Sequence, residues 1–433
     1  MKKIYLAVSG VLTVASSLTA QTACSTGRYA NDVYTNITTT SAIPYGSNTT
    51  WSGSAQTLTL DFHEPAGDTC TARPLIIWAH GGSFVGGAST DPDVDTLSNR
   101  FARKGFACAS INYRIGFYPF DSAHAVIAVV RAVQDMKAAI RFFYKDRKNS
   151  NTYKIDTNNI FIGGSSAGAI AALHVAYLDR PCEIQPYVNS TTLNSMGGLS
   201  GNSGNPGYSE RVKGVINLCG ALAIYGWLEA GNLPFCSMHG TIDATVKYNR
   251  GIVNPGTPLM YLDGSRMLYA QAVALGVQNK FYTWLGADHV PYVQGGTAAT
   301  QAAYMDTTVN FVRDYLIDRL GCTNPALQPP NAPAQTATLY PYTPCLVDIR
   351  TISNSLALEI YPNPSNDKIH VVFENPNEKH SVQITDISGR VVRTYSCNQA
   401  ELAIEKENLN TGMYLLKVSD TQGQSSLQKI IFY

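Results

Sequence analysis

The stretch Gly164-Ser165-Ser166-Ala167-Gly168 constrains this chain more than any other. Before it, Asn159-Ile160-Phe161-Ile162 is a short apolar run of strand type; after it, Ala169 to Tyr177 is rich in helix formers. A strand that turns directly into a helix across G-x-S-x-G forces the central Ser into a strained backbone conformation. Its hydroxyl is then pushed out at the top of a sheet. The flanking glycines are needed because a β-carbon there would collide with the neighbouring strand or helix. The helix that follows points its free N–H groups at negative charge forming beside the Ser. Alone, the motif also describes an ordinary Gly-rich strand–helix turn, so the rest of the chain has to decide.

The surrounding sequence alternates strands and helices. Pro74 to Ala79 is a continuous apolar run, as a strand covered on both faces should be. A helix near Thr96 to Lys104 and a strand from Ala107 to Tyr113 follow. Val126, Val129, Val133, Met136, Ile140 and Phe143 recur at helical spacing. Further strands read at Val212 to Leu218, Pro234 to Met238 and Phe281 to Trp284, with helices at Gly264 to Leu275 and Met305 to Leu320. Leu58 to Phe62 alternates as an edge strand does, and the Ser/Thr/Asn/Tyr-rich residues 25–50 read as peripheral strands and loops. The pattern is α/β, a mostly parallel sheet flanked by helices. Tyr187 to Tyr208 is an insertion with little periodicity, either a solvated loop or a cap over the site.

Residues 323–349 are Pro/Ala/Thr-rich, and beyond them the grammar changes to short alternating strands, such as Ile369 to Phe373 and Met413 to Val418. These predict a small all-β sandwich at the C-terminus. The 433 residues thus divide into a leader at 1–20, a catalytic domain at 21–322, a linker at 323–355 and the sandwich at 356–433.

The leader reads as a secretory signal peptide, with Lys2-Lys3, an apolar stretch from Ile4 to Leu18, and a cut after Ala20. A lipoprotein signal using Cys24 is the alternative. No other run approaches the length of a membrane span. A net charge of +1 without a basic stripe excludes a nucleic-acid or anionic-membrane partner read from charge. Nine cysteines in an exported chain suggest disulfides, with Cys322–Cys345 the expected bridge and Cys108 and Cys219 read as buried thiols.

A serine hydroxyl needs a base, and the base needs a group to hold it. Of eight histidines, His63 sits at a strand end, His124 and His174 lie in helices, and His370 and His380 belong to the sandwich. His174, two turns past Ser166, is expected to face away from it. His80, His239 and His289 remain. His80 opens His80-Gly81-Gly82-Ser83-Phe84 directly after an apolar strand. There a Gly-rich backbone can turn the N–H groups of Gly82 and Ser83, with that of Ala167, toward an oxyanion beside Ser166. His239 opens the loop that carries Asp243, and His289 follows Asp288 after the last strand. The order Ser166, Asp243, His289 fits a nucleophile, an acid and a base from successive strand ends. Asp288 competes as the acid, but adjacent loop side chains usually diverge. His239 reads as structural. Phe84, Tyr113, Phe117, Trp284 and Tyr292 are candidates to line an aromatic pocket. No cofactor or metal is called for: Asp91, Asp93 and Asp95 lack calcium-loop spacing and read as a solvated turn.

With these residues in view, about 55–322 resembles the α/β-hydrolase superfamily in its carboxylesterase/lipase branch. The matching stretches are HGGSF at 80–84, INYR at 111–114, GSSAG at 164–168, HGTID at 239–243 and ADH at 287–289. The resemblance implies hydrolysis of carboxylic esters through an acyl-enzyme on Ser166, with small-molecule or polymer-linked esters (feruloyl, acetyl or polyester) as substrates. Ser165 stands where many carboxylesterases carry Glu or Asp, and Ser83 where lipases often carry Gly. A prolyl-oligopeptidase-type serine peptidase shares the triad order, and a binding protein on an inactive scaffold is the non-enzyme alternative. Residues about 356–433 resemble the type A C-terminal sorting domain of the type IX (Por) secretion system. The matches are YPNPSND at 361–367, ITDISGRVV at 384–392, LNTGMYLLKV at 409–418 and the terminal KIIFY. That implies the secretion machinery as a partner, export to the surface or exterior, and removal of the domain, which would leave eight cysteines able to pair fully.

Overall fold

In the computed structural model of the protein, the described residues are 24, 26–333, 337–345, 358–373, 378–387, 389–421 and 425–433. The expected signal peptide lies outside them. The chain forms two compact units, Met1–Cys345 and Leu346–Tyr433.

The first unit is built on strands β1 (Ile37–Thr49), β2 (Ala55–Pro65), β3 (Arg73–Ala79), β4 (Ala107–Ile111), β5 (Ile155–Ser165), β6 (Gly214–Leu218), β7 (Ala221–Leu222), β8 (Phe235–Gly240), β9 (Arg250–Ile252), β10 (Tyr261–Gly264) and β11 (Asn279–Trp284). Eight of them make one sheet in the order β1-β2-β4-β3-β5-β6-β8-β11. β1 and β2 pair antiparallel, as do β2 and β4, and every other pairing is parallel. This is the mostly parallel α/β sheet that the sequence implies. Every residue of β3 is buried, as its unbroken apolar run requires. Leu75, Ile77 and Ala79 enter one core, and Ile76 and Trp78 the other, because successive strand residues point to opposite faces.

Helices α1 (Pro92–Arg103), α2 (Ser122–Lys148), α3 (Ala167–Tyr177), α4 (Pro181–Ile184), α5 (Ser190–Ser195), α6 (Ser265–Leu275) and α7 (Ala298–Arg319) connect the strands. α2, α3 and α6 cover one face of the sheet; α1 and α7 cover the other. α7 starts earlier than the apolar periodicity implies, because the Thr297 side chain accepts the N–H of Thr300 and caps a polar first turn. Leu58 to Phe62 is not the sheet edge: the polar strand β1 lies outside it.

The insertion divides into two roles. At its start Tyr187, with Ile184 just before the insertion, forms a cavity wall. Farther on, Gln134 of α2 donates to the carbonyls of Met196 and Gly198, and buried Ser203 donates to Asp135. That second half is anchored structure.

Residues expected to be a linker belong, as far as Cys345, to the first unit. Asn331 exchanges backbone hydrogen bonds with Phe281 and Thr283, covering the outer edge of β11. Tyr340 and Tyr342 pack edge-on against Tyr225. The disulfides are Cys24–Cys322 and Cys182–Cys345, so the expected Cys322–Cys345 bridge does not form. Full pairing of eight cysteines does not hold either. Cys108, Cys219 and Cys236 are buried thiols within the cores, and Cys70 is also free.

The second unit stacks a three-stranded sheet, β12 (Leu358–Tyr361), β13 (Lys368–Phe373) and β16 (Glu401–Glu405), with a four-stranded one, β15 (Val391–Cys397), β14 (His380–Asp386), β17 (Gly412–Ser419) and β18 (Ser425–Phe432). Ile369, Val371, Val382, Ile384, Leu416, Val418 and Phe432 fill its core. It is the all-β sandwich.

Candidate active site

Ser166 sits between β5 and α3 with φ 52° and ψ −117°, outside the regions open to an L-residue without strain. The turn closes only because its flanks lack side chains. A β-carbon on Gly168 would lie 1.9 Å from the Ala79 carbonyl oxygen, and one on Gly164 2.4 Å from the same atom. The Ser166 N–H donates to the Leu218 carbonyl at 2.9 Å, fixing the turn to the next strand.

The structure brings the three predicted residues into one hydrogen-bonded row. His289 Nε2 lies 2.8 Å from Ser166 Oγ, and His289 Nδ1 lies 2.7 Å from Asp243 Oδ2. A carboxylate can only accept, so it holds the proton on Nδ1 and leaves Nε2 free to accept from the serine. Asp243 Oδ1 accepts the N–H groups of Thr245 and Val246 at 2.9 and 2.8 Å. Burial alone would raise the Asp243 carboxyl; hydrogen bonds from His239 and His289 outweigh it and hold the group well below the usual carboxylate range. His239 is structural: Nε2 bonds the Val246 carbonyl, Nδ1 meets Ser265, and the ring stands 3.2 Å from Asp243. Asp288 turns away to accept the Ala244 N–H. Cys219 is a neighbour that sequence reasoning left in the core: its sulfur lies within 4.8 Å of the Asp243 and His289 ligand atoms, and burial pushes its thiol up.

The 80–84 loop runs past Ser166. Gly82, Ser83 and Phe84 have consecutive positive φ values of 98°, 57° and 61°. The N–H groups of Gly82 and Ser83 meet no acceptor among the described residues. Ala167 opens α3, where the first N–H groups have no partner within the helix. His80 is stacked on Tyr113, whose hydroxyl donates to the His80 carbonyl at 2.9 Å.

Two clefts meet at Ser166. One is almost wholly apolar, lined by Phe84, Phe117, Val126, Ile170, Leu259 and Met260. The other is polar and runs along Gly82, Gly86, Asp91, Asn254, His289 and Gln294. Of the five aromatic candidates, only Phe84 and Phe117 line the apolar cleft. Tyr113 is committed to the 80–84 loop, and Trp284 and Tyr292 pack on the opposite face of the sheet with α7. His174 lines the apolar cleft instead of facing away, because residues 166, 170 and 174 share one helix face. Its Nδ1 bonds the Ile170 carbonyl, its Nε2 accepts the Ala223 N–H, and burial lowers it to about 4, so it stays neutral. Asp93 is not part of a solvated turn: it is buried and accepts the Gly81 N–H.

With this geometry in place, residues 60–197 match the BD-FAE family, and residues 359–433 match the secretion system C-terminal sorting domain. The BD-FAE match spans the 80–84 loop and the Ser166 turn, whereas Asp243 and His289 lie beyond the matched residues. Gut esterase 1 of Caenorhabditis elegans is 31% identical over 97 residues, covering 22% of this chain and 17% of its own. Para-nitrobenzyl esterase of Bacillus subtilis is 31% identical over 106 residues, covering 23% and 21%. The chain therefore spans about a fifth of the length of these relatives. A propionate-bound esterase from Thermogutta terrifontis aligns over 61% of the chain and 90% of its own, at TM-score 0.44 and 19% identity. The sorting-domain match marks the chain for export to the cell surface or exterior. Among the described residues no helix is long and apolar enough to cross a membrane.

Proposed function

We propose that this chain is an exported serine carboxylic-ester hydrolase. The observation that carries the reading is the unbroken row Ser166 Oγ, His289, Asp243 beneath a loop of unpaired N–H groups. His289 Nε2 takes the Ser166 proton as Oγ attacks the ester carbonyl. Charge collects on the former carbonyl oxygen, which the N–H groups of Gly82, Ser83 and Ala167 stabilise. The imidazolium, steadied by Asp243, then gives that proton to the leaving alkoxide. The carbon–oxygen bond breaks and the acyl group stays on Ser166. Water enters on the vacated side, loses a proton to Nε2, attacks the acyl carbon, and releases the acid with Ser166 re-protonated.

The two clefts give the substrate a polarity. The acyl chain enters the apolar cleft between Phe84, Phe117 and Ile170, and the alcohol lies along the polar one beside His289. Together with export, this supports extracellular or polymer-linked esters whose acyl group is hydrocarbon-rich, such as feruloyl, medium-chain or polyester units. The test is turnover of p-nitrophenyl acetate, p-nitrophenyl octanoate, methyl ferulate and a polyester by the parent and by Ser166→Ala. The expected result is hydrolysis by the parent alone, with the octanoate and ferulate outrunning acetate in kcat/KM. Near-parental activity of Ser166→Ala overturns the mechanism. Acetate as the best substrate overturns the acyl assignment.

A further inference from the structure

Asp93 is the buried acid that the row above leaves unused. It stands in the first turn of α1, is 7% exposed, and its Oδ2 accepts the Gly81 N–H at 2.9 Å. Its Oδ1 is buried and meets no hydrogen-bond partner among the described residues. A β-carbon placed on Gly81 would lie 3.3 Å from Asp93 Oδ2 and 3.5 Å from the Ser166 β-carbon. Carboxylate, loop and nucleophile are therefore stacked in direct contact.

The loop needs such a hold. Its next three residues are all in left-handed conformations, two of them with side chains, and such strain persists only where the surroundings impose it. Tyr113 grips the loop from one side through the carbonyls of His80 and Gly81. Asp93 grips it from the other through the N–H of Gly81. Burial pushes the Asp93 carboxyl up to about 6, against the pull of the Gly81 N–H and the Ser165 hydroxyl. Asp91, in the same turn, raises it further. Tyr113 and Tyr292 also feel its charge, and His289 faces it across the polar cleft. A carboxylate kept where burial penalises its charge points to a role other than stability. Ser165, bonded to Tyr292, provides no acid of its own next to the nucleophile.

We propose that Asp93 is the positioning residue of the oxyanion loop, providing from α1 the carboxylate that residue 165 lacks. The proposal rests on the serine-hydrolase reading. Its test is steady-state kinetics of Asp93→Ala and Asp93→Asn on p-nitrophenyl butyrate, beside the parent and Ser166→Ala, with thermal unfolding of each. Asp93→Ala should lower kcat by about 30–300-fold with KM within about threefold, since one misplaced oxyanion donor costs about 10²–10³. Asp93→Asn keeps an oxygen for Gly81, but a neutral and weaker one; it should lose about 3–10-fold. Both should melt at or above the parent, because a buried charge is gone. An Asp93→Ala kcat within threefold of the parent's, or a raised KM at unchanged kcat, overturns the proposal. Should that variant not fold, Asp93→Asn decides: a kcat within twofold of the parent's overturns it. Loss of activity in Ser166→Ala alongside an unaffected Asp93→Ala would sink this proposal and leave the hydrolase reading standing. An active Ser166→Ala would sink the hydrolase reading and, with it, this one.

Discussion

Replacing Ser166 by glycine and, separately, by alanine separates the chemistry of the hydroxyl from the geometry of the turn. Both variants lose the 2.8 Å hydrogen bond to His289, and both should lose about 10⁶ in kcat. They differ at the backbone. At φ 52° and ψ −117° alanine keeps the β-carbon and the strain, whereas glycine removes both. Strain of this kind costs about 1–3 kcal/mol; glycine gives back about 0.5–1 kcal/mol through its freer unfolded chain. Ser166→Gly should therefore be the more stable variant by about 0.5–2 kcal/mol, a melting difference of about 1–4 °C for a unit of this size. Differential scanning fluorimetry of the pair at one pH reads it directly. If Ser166→Ala melts as high as Ser166→Gly or higher, the turn stores no strain and the reasoning fails.

Gly168→Ala would drive a β-carbon into the Ala79 carbonyl, so the start of α3 must shift by about 1 Å, and kcat should fall about 10²-fold. Kinetics together with circular dichroism check it; an unchanged kcat refutes the contact. The raised Asp93 carboxyl favours the folded state when protonated, a contribution present below about pH 4 and lost as pH rises through about 6. The gap from 3.8 corresponds to about 3 kcal/mol, so the stability of Asp93→Asn relative to the parent should grow by up to that amount between pH 4 and 7. A difference flat with pH in urea titrations would contradict this. Cys182→Ser opens a cross-link between residues 163 apart. It should cost up to about 5 kcal/mol and expose residues 337–345 to nicking by subtilisin; equal melting and equal digestion patterns would count against it.

What was legible in the sequence is what local chemistry dictates. The Ser166 turn, the 80–84 loop, Asp243 and His289 each sit at a strand end with their own glycines, so position along the chain was enough to place them. What was not legible depends on which face of an element meets which neighbour. Tyr292 and Trp284 looked like pocket residues but fall on the far side of the sheet, with α7. His174 looked remote, yet its place two turns after Ser166 on one helix face puts it in the apolar cleft. Asp93 looked like one of three acids in a turn; only the fold shows that it alone of the three is buried. β1 falls in the polar stretch read as peripheral strands and loops, but its bounds were not legible because a strand at the sheet edge needs few apolar residues.

Both disulfides tie the extremities of the catalytic unit to its body. Cys24 is fastened to Cys322, and Cys345, the last residue of the unit, to Cys182, two positions before the cavity-wall residue Ile184. A peptide-bond cut anywhere beyond Cys345 would detach the sorting tail and leave both tethers in place. The same stitch that closes the C-terminal end of the first unit would go on holding the wall of the apolar cleft. For an enzyme sent outside the cell, where proteases are numerous and no chaperone stands by, trimming the export tag and keeping the catalyst intact become independent events.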